Sequence, residues 1–140
     1  MNICLMGNVD SVKKVSFEDI KFIIKNNTSF NIISTLPRNE QGCLIQKTIP
    51  AHDEEYIINQ NIKNANFKII IYGKNPNDES IYKKYKQLLS IGLSNIFIYP
   101  GGLFEWLCLQ DIYGTDEFPT TSQELDILKF KPRNLLRYNH

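Results

Sequence analysis

Residues 68–106, KIIIYGKNPNDESIYKKYKQLLSIGLSNIFIYPGGLFEW, contain the clearest pattern of secondary structure in this chain. The runs 68–72 and 95–99 within this stretch are apolar almost throughout, which is the pattern of strands covered on both faces. The run between them has helical periodicity, and Gly92 stands where a helix favours glycine after its last turn. The apolar stripe of this predicted helix consists of Ile81, Tyr85, Leu88 and Leu89. The stretch therefore predicts a strand, a helix and a second strand, in the order of a parallel βαβ unit.

The segment after the second strand is apolar nearly all round. Pro100, Gly101 and Gly102 turn the chain into residues 103–109. A helix that is apolar on every side is a buried one, so we predict a short buried helix that ends at Gly114. Packing in the core explains its aromatic side chains better than a cofactor site or a partner surface.

The first part of the chain continues the alternation of strands and helices. Residues 12–15 and 30–34 are short β-type runs. Residues 16–19 have the pattern of a capping box and predict a helix that ends at Asn26 and Asn27. Residues 43–49 predict another short extended segment.

Two further helices are predicted from their capping residues. Asp53 is expected to cap a helix that points Ile57, Ile58 and Ile62 inward, and residues 121–124 form a second capping box before a modest helix. Strands and helices that alternate with short connections are typical of a parallel sheet covered by helices. We therefore expect an α/β fold of three layers, with a mostly parallel central sheet and helices on both faces.

A chain of 140 residues is long enough for one domain with one core. We divide it into an N-terminal extension (residues 1–11), the domain (residues 12–128) and a basic C-terminal tail (residues 129–140). Sixteen basic and fifteen acidic residues leave a formal charge of +1. This balance argues against a nucleic-acid binder.

The composition of the chain indicates which metal sites and which cellular locations to expect. Three cysteines without a Cys-x-x-Cys pair fit a reducing compartment, and His52 and His140 are too isolated for a zinc site, so we expect no metal and no cofactor. No run approaches the roughly 20 apolar residues of a membrane span, and the start of the chain does not have the pattern of a signal peptide. We therefore expect a cytoplasmic location or another reducing compartment inside the cell. Heavy use of Asn, Ile and Lys is typical of AT-rich genes, as in protists, some bacteria and large DNA viruses, and in the last case a virion location would be open.

The order and spacing of the segments in residues 68–106 resemble the C-terminal half of a rhodanese-homology domain. In that family a buried strand leads into the active-site loop, and a helix, a glycine turn, a second strand and a Gly-Gly-x-x-x-Trp motif follow. Residues 101–106, GGLFEW, match that motif. The strand and helix start at residues 15–20 and the strand at residues 30–36 resemble the family more weakly. The resemblance covers about residues 12–112 and implies a rhodanese-like fold.

The resemblance also shows where this chain departs from the family. A rhodanese-like sulfurtransferase carries its catalytic cysteine directly after the strand, where this chain has Gly73. Residues 34–36, Ser-Thr-Leu, stand where the family usually has Asp-Val-Arg, and the family's Gly-His-Ile-Pro-Gly segment is not recognisable in residues 41–50. The mechanism needs a thiolate that takes up sulfur as a persulfide, and glycine offers no nucleophile. We therefore expect no catalytic residue in this loop.

The rest of the loop differs from an anion-binding loop as well. Pro76 removes an amide donor, and Asp78 and Glu79 place negative charge where an anion would bind. The same residues also fit an ordinary turn in which Asn77 or Asp78 caps the next helix. Lys74 could serve as a base or an anion ligand, although a lone loop lysine is usually a solvated charge. The residual active-site loop consists of Gly73, Lys74, Asn75, Pro76, Asn77, Asp78, Glu79 and Ser80.

The remaining cysteines offer one alternative nucleophile. Cys43 follows the second predicted strand and can therefore approach the loop, but no basic residue or helix start is placed to lower its pKa. Cys108 is predicted to be a small buried hydrophobic residue, and Cys4 precedes the domain.

An exposed segment after the glycine motif is the candidate surface for a partner. Its aromatic, proline and threonine content suits an edge that binds a protein, and it equally suits a loop packed over the sheet. The candidate residues are Gln110, Asp111, Tyr113, Phe118 and Pro119.

The leading hypothesis is a catalytically inactive rhodanese-like domain that acts as a protein-interaction or scaffolding module. The alternatives are sulfur or thiol transfer through Cys43, or an anion sensor that uses the residual loop.

Overall fold

A computed structural model of the chain describes residues 12–136. The predicted extension, residues 1–11, and residues 137–140 of the predicted tail lie outside this part. The strands are β1 (Lys13–Lys14), β2 (Phe30–Ser34), β3 (Lys68–Tyr72) and β4 (Ile96–Ile98). The α-helices are α1 (Phe17–Asn26), α2 (Ala51–Asn61), α3 (Ser80–Ser90) and α4 (Gly102–Tyr113), and two short 3-10 helices span Arg38–Glu40 and Ile127–Phe130.

The four strands form one parallel sheet in the order β1-β4-β3-β2. The register of the sheet places Ile70 of β3 opposite Ile32 of β2 and Phe97 of β4. Helices cover both faces, so the predicted three-layer α/β fold is confirmed. Because the strands are parallel, the loops that follow β2, β3 and β4 leave the sheet at the same edge.

Each face of the sheet has its own apolar core, because β3 points alternate residues to opposite sides. One core lies beneath α1 and α4, and the other lies beneath α2 and α3. The first includes Ile20, Ile32, Ile70, Trp106 and Phe118, and the second includes Ile33, Ile58, Ile71, Ile81 and Leu88. The continuous apolar run of β3 is therefore buried on both faces, as predicted.

The ends of α1 and α3 follow from local sequence. The Ser16 amide donates to Asp19 Oδ2 at 2.9 Å, which is one half of the predicted capping box. The Ser16 hydroxyl donates to the same oxygen at 3.3 Å. Asn27 ends α1 with a φ of 51°, and Gly92 follows α3 with a φ of 104°. Leu89, assigned to the apolar stripe of α3, is instead exposed.

Two expectations for the segment between β2 and β3 are wrong. Residues 43–49 form a turn rather than a strand, and isolated bridges join Ile45 to Thr120 and Thr48 to Ile32. The helix that was expected to have Asp53 as its N-cap starts three residues earlier, with Pro50 at the N-cap position. Pro50 supplies the extended backbone that leads into the helix, and Asp53 lies in the first turn.

The second capping box does not start a helix. Residues 121–124 are irregular, because their hydroxyl groups bond across to the segment after β2. Thr121 Oγ1 accepts from the Leu44 amide at 3.0 Å, and the Ser122 hydroxyl donates to the Gly42 carbonyl at 2.7 Å. The short helix Ile127–Phe130 begins only afterwards.

Candidate functional site

The loop between β3 and α3 is the candidate site. Gly73 follows β3 directly, and the helix begins at Ser80, so the last residue of the predicted loop is helical. Glu79 occupies the N-cap position rather than Asn77 or Asp78. The loop opens at the edge of the sheet where parallel α/β folds place their ligand sites.

The carboxylate of Asp78 turns back into this loop. Its Oδ2 accepts from the Lys74 amide at 2.9 Å, and its Oδ1 accepts from the amide of Ser80 at 3.0 Å and from the hydroxyl of Ser80 at 2.7 Å. Burial alone would raise the pKa of this carboxyl, but these hydrogen bonds and the charge of Lys74 outweigh it and hold the pKa below its ordinary value. Asp78 therefore supplies negative charge to the loop from within the chain.

Two other amides of the loop are also satisfied internally. The Asn77 amide donates to Asn75 Oδ1 at 2.9 Å, and the Asp78 amide donates to the Asn75 carbonyl at 3.1 Å. Pro76 has no amide hydrogen to offer. The amides of Lys74, Asn77 and Asp78 are thus bonded within the loop rather than directed together at an external anion.

The glycine motif holds α4 close against the loop. The amides of Leu103 and Phe104 donate to the carbonyls of Gly73 and Lys74 at 2.9 Å and 2.8 Å, so the loop satisfies two free amides of the first turn of α4. Gly102 has a φ of 70°, and a Cβ there would lie 2.7 Å from the Gly73 carbonyl oxygen. Glycine at position 102 is therefore required by both the backbone angle and the close approach.

The C-terminal 3-10 helix covers the loop from the other side. Asn75 is buried, and its Nδ2 donates to the Phe130 carbonyl at 2.9 Å. The Phe130 ring is only 2% exposed and packs in the first core. The start of the predicted tail, residues 129–140, thus packs against the domain as far as Phe130.

The segment after β2 contributes to the site the hydroxyl of Thr35 and the carboxylate of Glu40, and both bond to residues of the loop. Thr35 and Ser80 share a hydroxyl hydrogen bond of 2.7 Å, and the Thr35 amide donates to the Tyr72 carbonyl at 2.9 Å. Lys74 forms an ion pair with Glu40 at 2.9 Å. Lys74 is therefore a paired cation at the rim of the loop.

Neither cysteine in the described residues is placed as an activated nucleophile. Burial raises the pKa of the Cys43 thiol, which is 5% exposed and donates to the Ser122 carbonyl at 3.2 Å. Cys108 is half-buried rather than fully buried as predicted, and burial together with Asp111 and Glu105 raises its pKa. Neither environment favours the thiolate.

The candidate partner surface divides into buried and exposed residues. Phe118 is 2% exposed, and its ring lies 5.0 Å from the ring of Trp106, so its expected place on an exposed edge is wrong. Gln110 Nε2 donates to the Phe118 carbonyl at 2.7 Å, and Trp106 Nε1 donates to the Pro119 carbonyl at 3.0 Å. Asp111 and Tyr113 are exposed. Residues 118–120 therefore pack onto the domain, whereas residues 111–117 are exposed.

Within residues 12–136, no three side chains of His, Cys, Asp or Glu are grouped so that they could hold a metal ion. In the same range, no helix has both the length and the apolar composition that a bilayer crossing requires.

Two contacts that shape the site were not expected from sequence. Phe130 was assigned to the tail, although an aromatic residue between two lysines was a signal that it packs inward. The negative charge of Asp78 in the loop was expected from sequence, but its hydrogen bond to the Lys74 amide was not, because its spacing fits an ordinary helix cap equally well.

Solved structures share this fold over most of its length. A full-length protein from Lactobacillus plantarum is 17% identical, with 87% of this chain and 97% of that chain covered and a TM-score of 0.62. A rhodanese-like domain from Anabaena sp. is 20% identical, with 86% and 85% covered and a TM-score of 0.55. A single-domain sulfurtransferase from Saccharomyces cerevisiae is 15% identical, with 74% and 94% covered and a TM-score of 0.56.

No protein-family model and no curated protein sequence matches the chain. The likeness therefore lies in the fold, at identities where a shared fold does not imply a shared activity. The chain has a rhodanese-like α/β fold.

Proposed function

We propose that this chain is a catalytically inactive rhodanese-like domain that acts as a protein-interaction module. The observation that supports it best is the place of the Asp78 carboxylate. A Cβ at Gly73 would lie 2.5 Å from Asp78 Oδ2, far inside van der Waals contact. The carboxylate therefore occupies the space that a cysteine side chain after β3 would need.

Sulfur transfer through this loop lacks both of its requirements. Gly73 supplies no thiolate, and the Lys74 amide, which could stabilise a persulfide, already donates to Asp78. Sulfur that arrived at the loop would also meet the negative charge of Asp78. The loop is arranged to stabilise a fold rather than to bind a substrate anion.

The two alternatives have less support. Cys43 is buried with a raised pKa, so its thiol is a poor nucleophile near neutral pH. An anion sensor would need loop amides that converge on an external ligand, whereas the amides of Lys74, Asn77 and Asp78 donate within the loop.

Thiosulfate-to-cyanide sulfur transfer tests the catalytic half of the proposal. We expect no thiocyanate from the natural chain, and none from Gly73→Cys, because the new side chain must compete with the Asp78 carboxylate for the same space and for the Lys74 amide. The double variant Gly73→Cys with Asp78→Ser relieves that collision and shows whether the fold alone can support the reaction. The yeast single-domain sulfurtransferase serves as the positive control.

Thiocyanate formation by the natural chain would overturn the proposal. A Cys43→Ser variant would then show whether Cys43 is the nucleophile. The binding half is tested by affinity capture from the source cells, with an unrelated domain of similar size and charge on the same resin. Failure to retain any specific protein would count against a role as an interaction module.

A further inference from the structure

A polar groove lies between α2 and α3, on the sheet face opposite the glycine motif. It has a volume of about 650 Å³ and begins beside Thr35 and Ser80, at the edge of the sheet where the loops emerge. We propose that this groove binds an extended, acidic segment of a partner protein. This inference rests on the proposed function and names the surface and the kind of partner.

The groove continues beyond the helices as a second depression. This depression, of about 450 Å³, is lined by Leu44, Thr48 and His52 among others. The two depressions share Arg38, Gln41 and Ala51. Together they form a long open channel, which suits an extended segment better than a compact small molecule.

The charges of the groove favour an acidic ligand. Lys84 of α3 forms an ion pair with Glu54 of α2 across it, so these two charges neutralise each other. Arg38 and Lys83 are exposed and form no ion pair within residues 12–136. Glu55 is the other acidic residue in the lining, so two free cations face one free anion.

The floor and the walls of the groove suit a peptide. Ile58 and Leu88 are 6% and 2% exposed and form part of an apolar floor. Asn59 and Gln87 lie along the helical walls and expose amide groups that can both donate and accept hydrogen bonds. An extended backbone carries one donor and one acceptor for most of its residues, which such side chains can satisfy. The guanidinium of Arg38 can hold a carboxylate with two parallel hydrogen bonds.

A random dodecapeptide phage library, panned on the folded chain, tests this inference. We expect the selected peptides to be enriched in Asp and Glu. Synthetic copies should perturb the amide resonances of groove residues such as Gln87. The double variant Arg38→Glu with Lys83→Glu should lower their affinity by at least about tenfold, since it replaces attraction by repulsion at two positions. Lys25→Glu on α1 is the matched control for each of the two single variants, Arg38→Glu and Lys83→Glu, because it reverses one exposed charge on the opposite face and should leave the affinity nearly unchanged.

The other outcomes would overturn the inference. Selection of no peptide above background, selection without acidic enrichment, or mapping to the α1 face around Phe22 would each do so. Unchanged peptide affinity of the double variant would also overturn it, provided that the circular dichroism spectrum of the variant matches that of the natural chain and so shows that it is folded. None of these results bears on the sulfur-transfer assay, so the groove can fail while the catalytic half of the proposed function stands. Thiocyanate formation by the natural chain would contradict the catalytic half of the proposed function without testing whether the groove binds acidic peptides.

Discussion

The carboxylate of Asp78 lies against Gly73, at 2.5 Å from the place where a Cβ would begin. The two residues are five positions apart and are brought together because the loop turns back on itself before α3. Because Gly73 has no side chain, the carboxylate has room to accept a hydrogen bond from the Lys74 amide at 2.9 Å. A side chain at position 73 would force this internal anion out of the loop.

The first prediction concerns the pH dependence of stability. The pKa of Asp78 lies below its ordinary value of 3.8 in the folded chain, so the ionised carboxylate stabilises the fold above that pH. We expect Asp78→Asn to lower the free energy of unfolding by about 1–2 kcal/mol at pH 7. The difference from the natural chain should shrink as the pH falls below 3.8 towards the lower folded pKa. Urea denaturation followed by circular dichroism at several pH values measures it, and a difference that stays constant down to the lowest pH would contradict the assignment.

A second prediction tests the close approach of α4 to the loop. Gly102→Ala should destabilise the chain by more than about 2 kcal/mol, because it adds a backbone penalty to a collision with the Gly73 carbonyl. Gly42→Ala has open space and an ordinary backbone angle, so it should change stability by less than about 0.5 kcal/mol. Gly114→Ala, with a φ of 102° and no neighbour within 4 Å, isolates the backbone penalty alone. Equal effects of Gly102→Ala and Gly114→Ala would rule out the collision.

A third prediction concerns the 3-10 helix that covers the loop. Phe130→Ala removes a ring that is 2% exposed and should lower the free energy of unfolding by about 3–5 kcal/mol. Leu128→Ala, at a side chain that is 62% exposed in the same helix, should have an effect within about 0.5 kcal/mol. Chemical denaturation of both variants measures the contrast. Similar, small effects would mean that residues beyond 128 do not contribute to the core.

The fourth prediction concerns the cysteines, in a Cys4→Ser background. Burial raises the pKa of both remaining thiols, so alkylation of the folded chain at pH 7 should be slower than that of a free cysteine. Cys108 should react before Cys43, because Cys43 is buried and Cys108 is half-buried. Peptide mass spectrometry over a time course measures the order. Rapid modification of Cys43 in the folded chain would instead support the alternative in which it acts as a nucleophile.

The layers of the fold could be predicted from local patterns in the sequence. The apolar runs of β3 and β4 predicted strands buried on both faces, because each alternate side chain had to find a core. The glycine motif before α4 and the helix stop at Gly92 were also visible in sequence, since glycine is strongly favoured where the backbone angle is positive. Signals of this kind depend on near neighbours along the chain.

The hydrogen bonds of the loop's polar groups, in contrast, depend on the three-dimensional path of the chain. Asp78 had the spacing of a helix cap, and its turn towards Gly73 depends on the path of the whole loop. The docking of Phe130 on Asn75 joins residues that are 55 positions apart. The groove that Arg38 and Lys83 share needs two separate segments to pack side by side. Contacts between distant segments leave no period in the sequence, because they are set by how the helices and loops pack on the sheet.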